Sequence, residues 1–371
     1  MAHLQKAVDQ LFLRVGHVHQ ISRVYQSPAM GFSGADFLNA VAFLQTDMAP
    51  EVVMQELLSI ERDLGRQRLV STIDGTAISD EREYSSRTID LDLLAYGDLK
   101  QDSSDLILPH PRIQNRLFVL QPFLDVAPSW QHPELNLSLT ELRDQCPDSN
   151  PTKPIAQWLK NPSSNYDFSA MRYIAIEGNI GTGKTSLAQM IARDFKGKLI
   201  LERFADNPFL PEFYKDPERY AFPLEMSFLA DRFQQLAEQS AQYDLFNDLI
   251  ITDYDRFKSL IFAKITLTEN EFDLYQKFFQ LMHRELAQPQ VYVYLAQSTE
   301  RLLENIKQRG RSYEQSIDAD YLQKIHAGYM TYLNGKEHQA RVIRIDLSSL
   351  DFVHRRQDYV QVLNLLTDQI A

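Results

Sequence analysis

The stretch Arg172-Tyr-Ile-Ala-Ile-Glu-Gly-Asn-Ile-Gly-Thr-Gly-Lys-Thr-Ser-Leu-Ala-Gln-Met-Ile-Ala192 decides the reading of this chain, because it runs from a buried strand through a glycine-rich turn into a helix. Gly178, Gly181 and Gly183 followed by Lys184 and Thr185 have the spacing G-x-x-x-x-G-K-[ST], with Asn179, Ile180 and Thr182 completing the loop. Glycine lets the backbone turn tightly and aim N–H groups at an anion. Lys184 adds a cation for the outer phosphates, and Thr185 offers a hydroxyl to Mg²⁺ at the positive end of a helix. Tyr173 to Ile176 is apolar and strand-like, and Ser186 to Ala192 has helical spacing. The stretch therefore binds a nucleoside triphosphate.

At 371 residues the chain exceeds one comfortable core, and two domains are expected. A composition of 44% apolar and 24% charged residues is that of a globular protein, and no run of eighteen apolar residues offers a membrane span. The net charge of −12 argues against nucleic acid as a partner, since such binding rests on a Lys/Arg excess. A single cysteine, Cys146, excludes an internal disulfide framework, and the first residues lack the pattern of a signal peptide, so a cytoplasmic location is expected.

The chain opens on helical spacing, with Leu4, Ala7, Val8, Leu11 and Phe12 on one face. Strand-like stretches follow at 17–26 and 37–45, then a helix from Pro50 to about Leu64, an α+β pattern. In Ser86-Arg-Thr-Ile-Asp-Leu-Asp-Leu-Leu-Ala-Tyr96 a strand would project Asp90 and Asp92 together and bury Ile89, Leu91 and Leu93. Two adjacent carboxylates suit Mg²⁺ with substrate phosphates; the same alternation also suits the solvent face of an edge strand.

Leu108-Pro-His-Pro-Arg-Ile-Gln-Asn-Arg-Leu-Phe118 and Leu64-Gly-Arg-Gln-Arg68 complete a set of motifs that resembles 6-hydroxymethyl-7,8-dihydropterin pyrophosphokinase over almost all of residues 1–146. The resemblance implies a ferredoxin-like fold and transfer of a pyrophosphoryl group from ATP to the pterin hydroxymethyl, with release of AMP. It assigns Asp90 and Asp92 to two Mg²⁺ ions, and Arg66, Arg68, Arg87, His110 and Arg116 to triphosphate contacts or the catalytic loop. Phe37, Asn39 and Phe118 fall where the family holds the pterin ring, and Tyr84 where it has a loop aromatic. Two departures stand out. The family's opening strand and its Gly-Ser-Asn-Leu-Gly turn are absent, leaving backbone groups of the sheet to be satisfied some other way, and the interval from Arg68 to Arg87 carries extra residues. Either the true start lies upstream, or the unit is an inactive scaffold or interaction module.

Residues 148–170 are rich in Pro, Ser and Asn and read as a linker between a first domain, 1–147, and a second, 171–371. In the second, apolar strands at 198–201, 249–252, 291–295 and 342–345 alternate with helical stretches, so a five-stranded parallel sheet wrapped by helices is expected, its strand ends facing the site. Glu202 and Asp253 stand at two of those ends.

Glu202-Arg-Phe-Ala-Asp-Asn-Pro-Phe-Leu, Tyr214-Lys-Asp-Pro-Glu-Arg-Tyr-Ala-Phe-Pro-Leu-Glu225 and Arg309-Gly-Arg-Ser-Tyr-Glu-Gln-Ser-Ile317 resemble the deoxynucleoside kinases. The resemblance implies 5′-phosphorylation of a deoxynucleoside by ATP, with a weak leaning to purines. It makes Glu202 the general base, gives the sugar hydroxyl to Tyr214 and Glu314, and puts Arg309 and Arg311 in a lid. Asp253 joins the catalytic group. Asn305 replaces a lid arginine of relatives, and Arg256 follows Asp253 at a distance. Glu225 stands where relatives often carry glutamine, Lys258 lies near a base-reading aspartate, and Arg232 shares that pocket; a direct Glu225–Lys258 pair is the plainer alternative. Enzymes of this kind often form homodimers. The chain thus reads as a fusion acting on small molecules, with two alternatives: a deoxynucleoside kinase beside an inactive first domain, and a nucleotide switch that uses water as acceptor.

Overall fold

A computed structural model of the chain describes residues 1–29, 35–66, 71–73, 76–78, 88–168, 171–204, 207–241, 249–282, 288–335 and 340–369. They form two compact units, Met1–Asn165 and Tyr166–Ala371.

In the first unit α1 (Ala2–Arg14) buries Ala7, Val8, Leu11 and Phe12, the face that the sequence periodicity marks. It is tied to α2 (Pro50–Asp63) by Arg14, whose guanidinium donates to Glu56 at 2.9 Å and Asp63 at 2.7 Å. The strands are short: β1 (His17–Ile21) pairs antiparallel with β4 (Ala42–Gln45), and β2 (Tyr25–Ser27) lies between β3 (Phe37–Asn39) and β9 (Lys153–Pro154). Two further hairpins join β5 (Ser71–Ile73) to β6 (Thr76–Ile78) and β7 (Gln101–Asp102) to β8 (Ile107–Leu108). The helices α3 (Leu117–Val126) and α4 (Leu139–Asp144) enclose a second core around Ile113, Leu120 and Leu139.

Residues 88–95 correct the expectation of a strand. Their alternation is as read, with Asp90 and Asp92 exposed and Ile89 buried, but they join no ladder. The reason is lateral: β4 and residues 88–95 both line a cavity of about 1390 Å³, together with apolar residues of α1 and α2. Backbone groups there find other partners. Leu91 N donates to the Glu61 carboxylate at 2.7 Å, and His110 N donates to Leu94 O at 2.8 Å. Leu91 and Leu93 still pack on the cluster of Leu11, Val53, Leu57 and Ile60.

The stretch expected to run as a linker over 148–170 is divided. Lys153 and Pro154 extend the β2 ladder, Asn161 and Ser163 donate to Val18 O, each at 2.9 Å, and residues from Tyr166 on belong to the second unit. Asn and Ser side chains bind nearby backbone readily, which fixes a segment that composition alone marks as free.

The second unit carries a parallel sheet in the order β11 (Lys198–Ile200), β12 (Ile250–Thr252), β10 (Tyr173–Gly178), β13 (Val291–Ala296), β14 (Arg341–Asp346). All six residues of β10 are buried, as a central strand covered on both faces requires. Around it stand α5 (Lys184–Asp194), α6 (Leu210–Phe213), α7 (Pro217–Ala241), α8 (Phe257–Thr266), α9 (Glu269–Met282), α10 (Thr299–Arg309), α11 (Ala319–Asn334) and α12 (Arg356–Asp368). Chain order turns back at β10, between β12 and β13, so the crevice for a ligand opens beyond its carboxyl end.

Candidate active sites

In the second unit the loop after β10 takes the shape its glycines permit. Gly181 and Gly183 have φ of +87° and +86°, and a Cβ on Gly183 would stand 2.8 Å from the Phe352 ring. Lys184 crosses the loop and donates to Asn179 O at 2.8 Å, and Asn305 on α10 donates to Gly181 O at 2.9 Å. Burial brings the Lys184 ammonium down to about 8, with Lys258 adding to the effect. Thr185 Oγ1 donates to Asp253 Oδ2 at 2.5 Å, and Glu202 N donates to Asp253 Oδ1 at 2.8 Å. Three strand ends thus converge through one carboxylate.

Glu202 is the most strongly held acid of the cleft. Arg232 Nη2 and Nε donate to its Oε1 at 2.6 and 2.8 Å, and Lys258 Nζ donates to its Oε2 at 2.5 Å. Burial works to raise its pKa, but Lys258 and Arg232 outweigh burial and hold it at about 2. Lys258 therefore pairs with Glu202 and not with Glu225, because α8 aims its ammonium across the cleft. Glu225 sits on α7, one helical repeat before Arg232, and burial pushes it up to about 7.

Arg309 and Arg311 both donate to Glu314, the second at 3.1 Å, and Arg311 lies over the Phe204 ring at 4.0 Å. Tyr214 stacks on Tyr313 at 6.1 Å, and burial, then the charge of Glu314, raises its hydroxyl. Phe204, Tyr214, Arg309, Arg311 and Glu314 line a single cleft of about 120 Å³ with Lys184, Thr185, Asp253 and Ile180. Arg256 is buried beside Phe257 and is not part of the lining. Sequence reasoning passed over Thr266 and Tyr321, and over Glu177, which sits inside an apolar strand. Glu177 accepts from Asp255 N at 2.7 Å and from the Tyr329 hydroxyl at 2.8 Å, so it ties the strand behind the loop to the segment after β12. An acid within an apolar run was the available signal.

In the first unit the two aspartates are each matched by an arginine. Arg66 donates to Asp90 at 2.7 Å and also to Glu61, while Arg116 approaches Asp92 to 3.8 Å and lies over the Phe118 ring at 5.6 Å. Asn39 Nδ2 donates to Ser27 Oγ at 2.9 Å. Phe37, Asn39, Phe118, Asp90, Asp92 and Arg116 line one cavity. His110 receives the Arg112 N–H at 3.2 Å; burial lowers its pKa, against the pull of Asp92. Arg68, Tyr84 and Arg87 lie outside the described residues.

Both donor sets fit a hard cation. Asp90 and Asp92 offer carboxylate oxygens on one side of a chain segment, and Thr185 with Asp253 offers a hydroxyl and a carboxylate beside the phosphate loop. Among the described residues no group of three or more His, Cys, Asp or Glu is gathered.

The family model for deoxynucleoside kinase matches residues 174–371, more than half of the chain, and the model for 7,8-dihydro-6-hydroxymethylpterin-pyrophosphokinase matches residues 1–128. A 2-amino-4-hydroxy-6-hydroxymethyldihydropteridine pyrophosphokinase from Synechocystis sp. is 34% identical over 159 residues, covering 43% of this chain and 75% of its own. The chain belongs to both families. As a bifunctional kinase it has relatives on each side: a deoxyguanosine kinase from Bacillus subtilis is 35% identical over 193 residues, covering 51% of this chain and 93% of its own. A deoxyadenosine kinase from Dictyostelium discoideum is 33% identical over 190 residues, covering 50% of this chain and 75% of its own. Kinases of both families use ATP with a divalent metal, and reading the first unit as an inactive module is not favoured. No described helix of this bifunctional kinase is long and apolar enough to cross a membrane.

Proposed function

We propose that the second unit phosphorylates the 5′-hydroxyl of a purine deoxynucleoside with MgATP, and that the first transfers pyrophosphate from MgATP to 6-hydroxymethyl-7,8-dihydropterin. The observation that supports the kinase reading is Glu202, a carboxylate fixed by two cations beside the Thr185–Asp253 pair. The 5′-oxygen attacks the γ-phosphorus, the bond to the β-phosphate oxygen breaks and ADP leaves. The hydroxyl proton passes to Glu202. A carboxylate held at about 2 is a weak base, which suits a loose transition state in which the hydroxyl proton becomes acidic late. Lys184 and the loop N–H groups hold the β- and γ-phosphates; Thr185 and Asp253 would hold Mg²⁺, which would supply neutralising charge to them. Tyr214 and Glu314 take the sugar 3′-hydroxyl. Arg309 and Arg311, now on Glu314, turn to the transferred group, where charge spreads over the equatorial oxygens.

In the first unit the arginine forks that hold Asp90 and Asp92 match phosphate oxygens equally well. With MgATP bound, Arg66 and Arg116 would serve the triphosphate with Arg68, Arg87 and His110, and Asp90 and Asp92 would hold Mg²⁺. Phe37, Phe118 and Asn39 hold the pterin, whose hydroxymethyl oxygen attacks the β-phosphorus and releases AMP. The enzyme acts in the cytoplasm as a homodimer, without nucleic acid as a partner.

Product analysis tests the assignment. With MgATP, the pterin should yield AMP, and a purine deoxynucleoside should yield ADP with its 5′-monophosphate. ATP hydrolysis at full rate without any deoxynucleoside would instead support a water-using switch. Light scattering reads the oligomeric state.

A further inference from the structure

Glu225 is 3% exposed and lines the same cleft as Glu202, yet its hydrogen bonds do not suit an anion. Among the described residues only Thr266 Oγ1 reaches its Oε1, at 3.1 Å, and that hydroxyl also lies 3.0 Å from Phe262 O, so its single hydrogen serves one of two acceptors. Oε2 is buried and, among the described residues, meets no hydrogen-bond partner. A buried carboxylate normally gathers two or three donors.

The charged groups nearby are turned elsewhere. From α7 Arg232 gives Nε and Nη2 to Glu202 and Nη1 to Ser259 Oγ; from α8 Lys258 reaches Glu202. Glu202, beyond the end of β11, opposes ionisation of a second acid. Tyr275 of α9 donates to Glu225 O at 3.4 Å, and Tyr214 and Tyr321 are the other titratable groups that sense Glu225. Both tyrosines are half-buried, and desolvation raises their hydroxyls, hence they are neutral.

We infer that Glu225 enters the deoxynucleoside complex as a neutral carboxylic acid, its Oε2–H donating to a ring-nitrogen acceptor of the base, so that binding is coupled to one proton. The inference rests on the deoxynucleoside reading of the cleft. A neutral carboxyl both donates and accepts, as an amide does, and so matches a ring nitrogen flanked by an exocyclic amine, the pattern adenine offers at N7 and N6. An ionised Glu225 would set a charge against the lone pair of that nitrogen. Burial already brings the free group to about 7, and a base stacked over it removes further water. At alkaline pH the complex must therefore take up a proton from solution.

The test uses the full-length enzyme and deoxyadenosine as the probe. Calorimetric titration at about pH 8, in two buffers of different ionisation enthalpy, should show uptake of close to one proton per deoxyadenosine bound. From about pH 7 to 8.5 the dissociation constant should rise by up to about tenfold per pH unit. Glu225→Gln carries a permanent donor, so its uptake should be near zero and its pH dependence flat. Binding without proton uptake by the unaltered enzyme overturns the inference alone, as does equal uptake by the variant. No deoxynucleoside binding at any pH overturns it together with the kinase reading.

Discussion

At the residue scale the cleft of the kinase unit keeps one carboxylate, Glu202, charged, and the proposed chemistry rests on it. Glu202 was legible in the sequence through its motif: acids at strand ends are common, and it is the run Glu202-Arg-Phe-Ala-Asp-Asn-Pro-Phe-Leu that singles this one out. Its partners were not, since Lys258 lies 56 positions away and only the packing of α8 against α7 decides which acid it meets. Replacing Lys258 with methionine leaves burial and Arg232 in place and removes one of the two forces that depress the Glu202 pKa. An acid so depressed contributes stability above its ordinary value of 4.5, lost as pH falls toward about 2. In Lys258→Met that loss moves to higher pH, and breaking the buried pair costs about 3 kcal/mol of stability, the low end for such pairs because Arg232 remains. Profiles of kcat/KM for deoxynucleoside phosphorylation should show the variant losing more activity at acid than at alkaline pH, with Lys258→Arg restoring the profile. An unchanged profile shape in Lys258→Met would remove Lys258 from the account of the base.

At the element scale the sequence told most where a pattern is local. The strand-loop-helix unit and the four further parallel strands follow from apolar runs and their spacing; the ends of the four agree to within a residue, and β10 and α5 each run two residues beyond the stretches read for them. Residues 88–95 show the limit: alternation reports which side chains turn inward, whereas a ladder depends on a neighbour that the segment itself does not contain. Composition likewise marked residues 148–165 as polar and proline-rich without revealing that they close onto β1 and β2. The loop before α5 offers a sharp test of local fit. Gly183→Ala forces a non-glycine residue to φ +86° and puts a Cβ 2.8 Å from Phe352, so about 1–3 kcal/mol of strain is expected. Thermal melting should fall and the dissociation constant for MgATP should rise by about tenfold or more, the equivalent of ~1.4 kcal/mol. Retention of wild-type ATP affinity would mean that the loop reshapes around the phosphates more freely than its fixed contacts imply.

At the scale of the whole molecule two phosphate-binding solutions share one chain. One cradles phosphates with loop N–H groups and Lys184; the other brings arginine forks to a pair of aspartates. Each set of residues falls within its own compact unit, and a pterin and a deoxynucleoside share no intermediate, so the two reactions should respond separately to substitution. Asp92→Ala removes a proposed metal ligand and should stop AMP formation with the pterin, while ADP formation with a deoxynucleoside stays within about twofold, the small effect expected of an independent site. Lys184→Met should do the reverse, lowering deoxynucleoside phosphorylation by about 10²–10³-fold, as loss of one electrostatic donor at a transferring group does elsewhere. Both activities are measured on the same preparation, so a misfolded sample lowers both and is recognised as such. If Lys184→Met instead abolished AMP release from a pterin-supplied enzyme that still melts as the wild type does, the first unit would depend on the nucleotide bound by the second, and the chain would be one coupled machine.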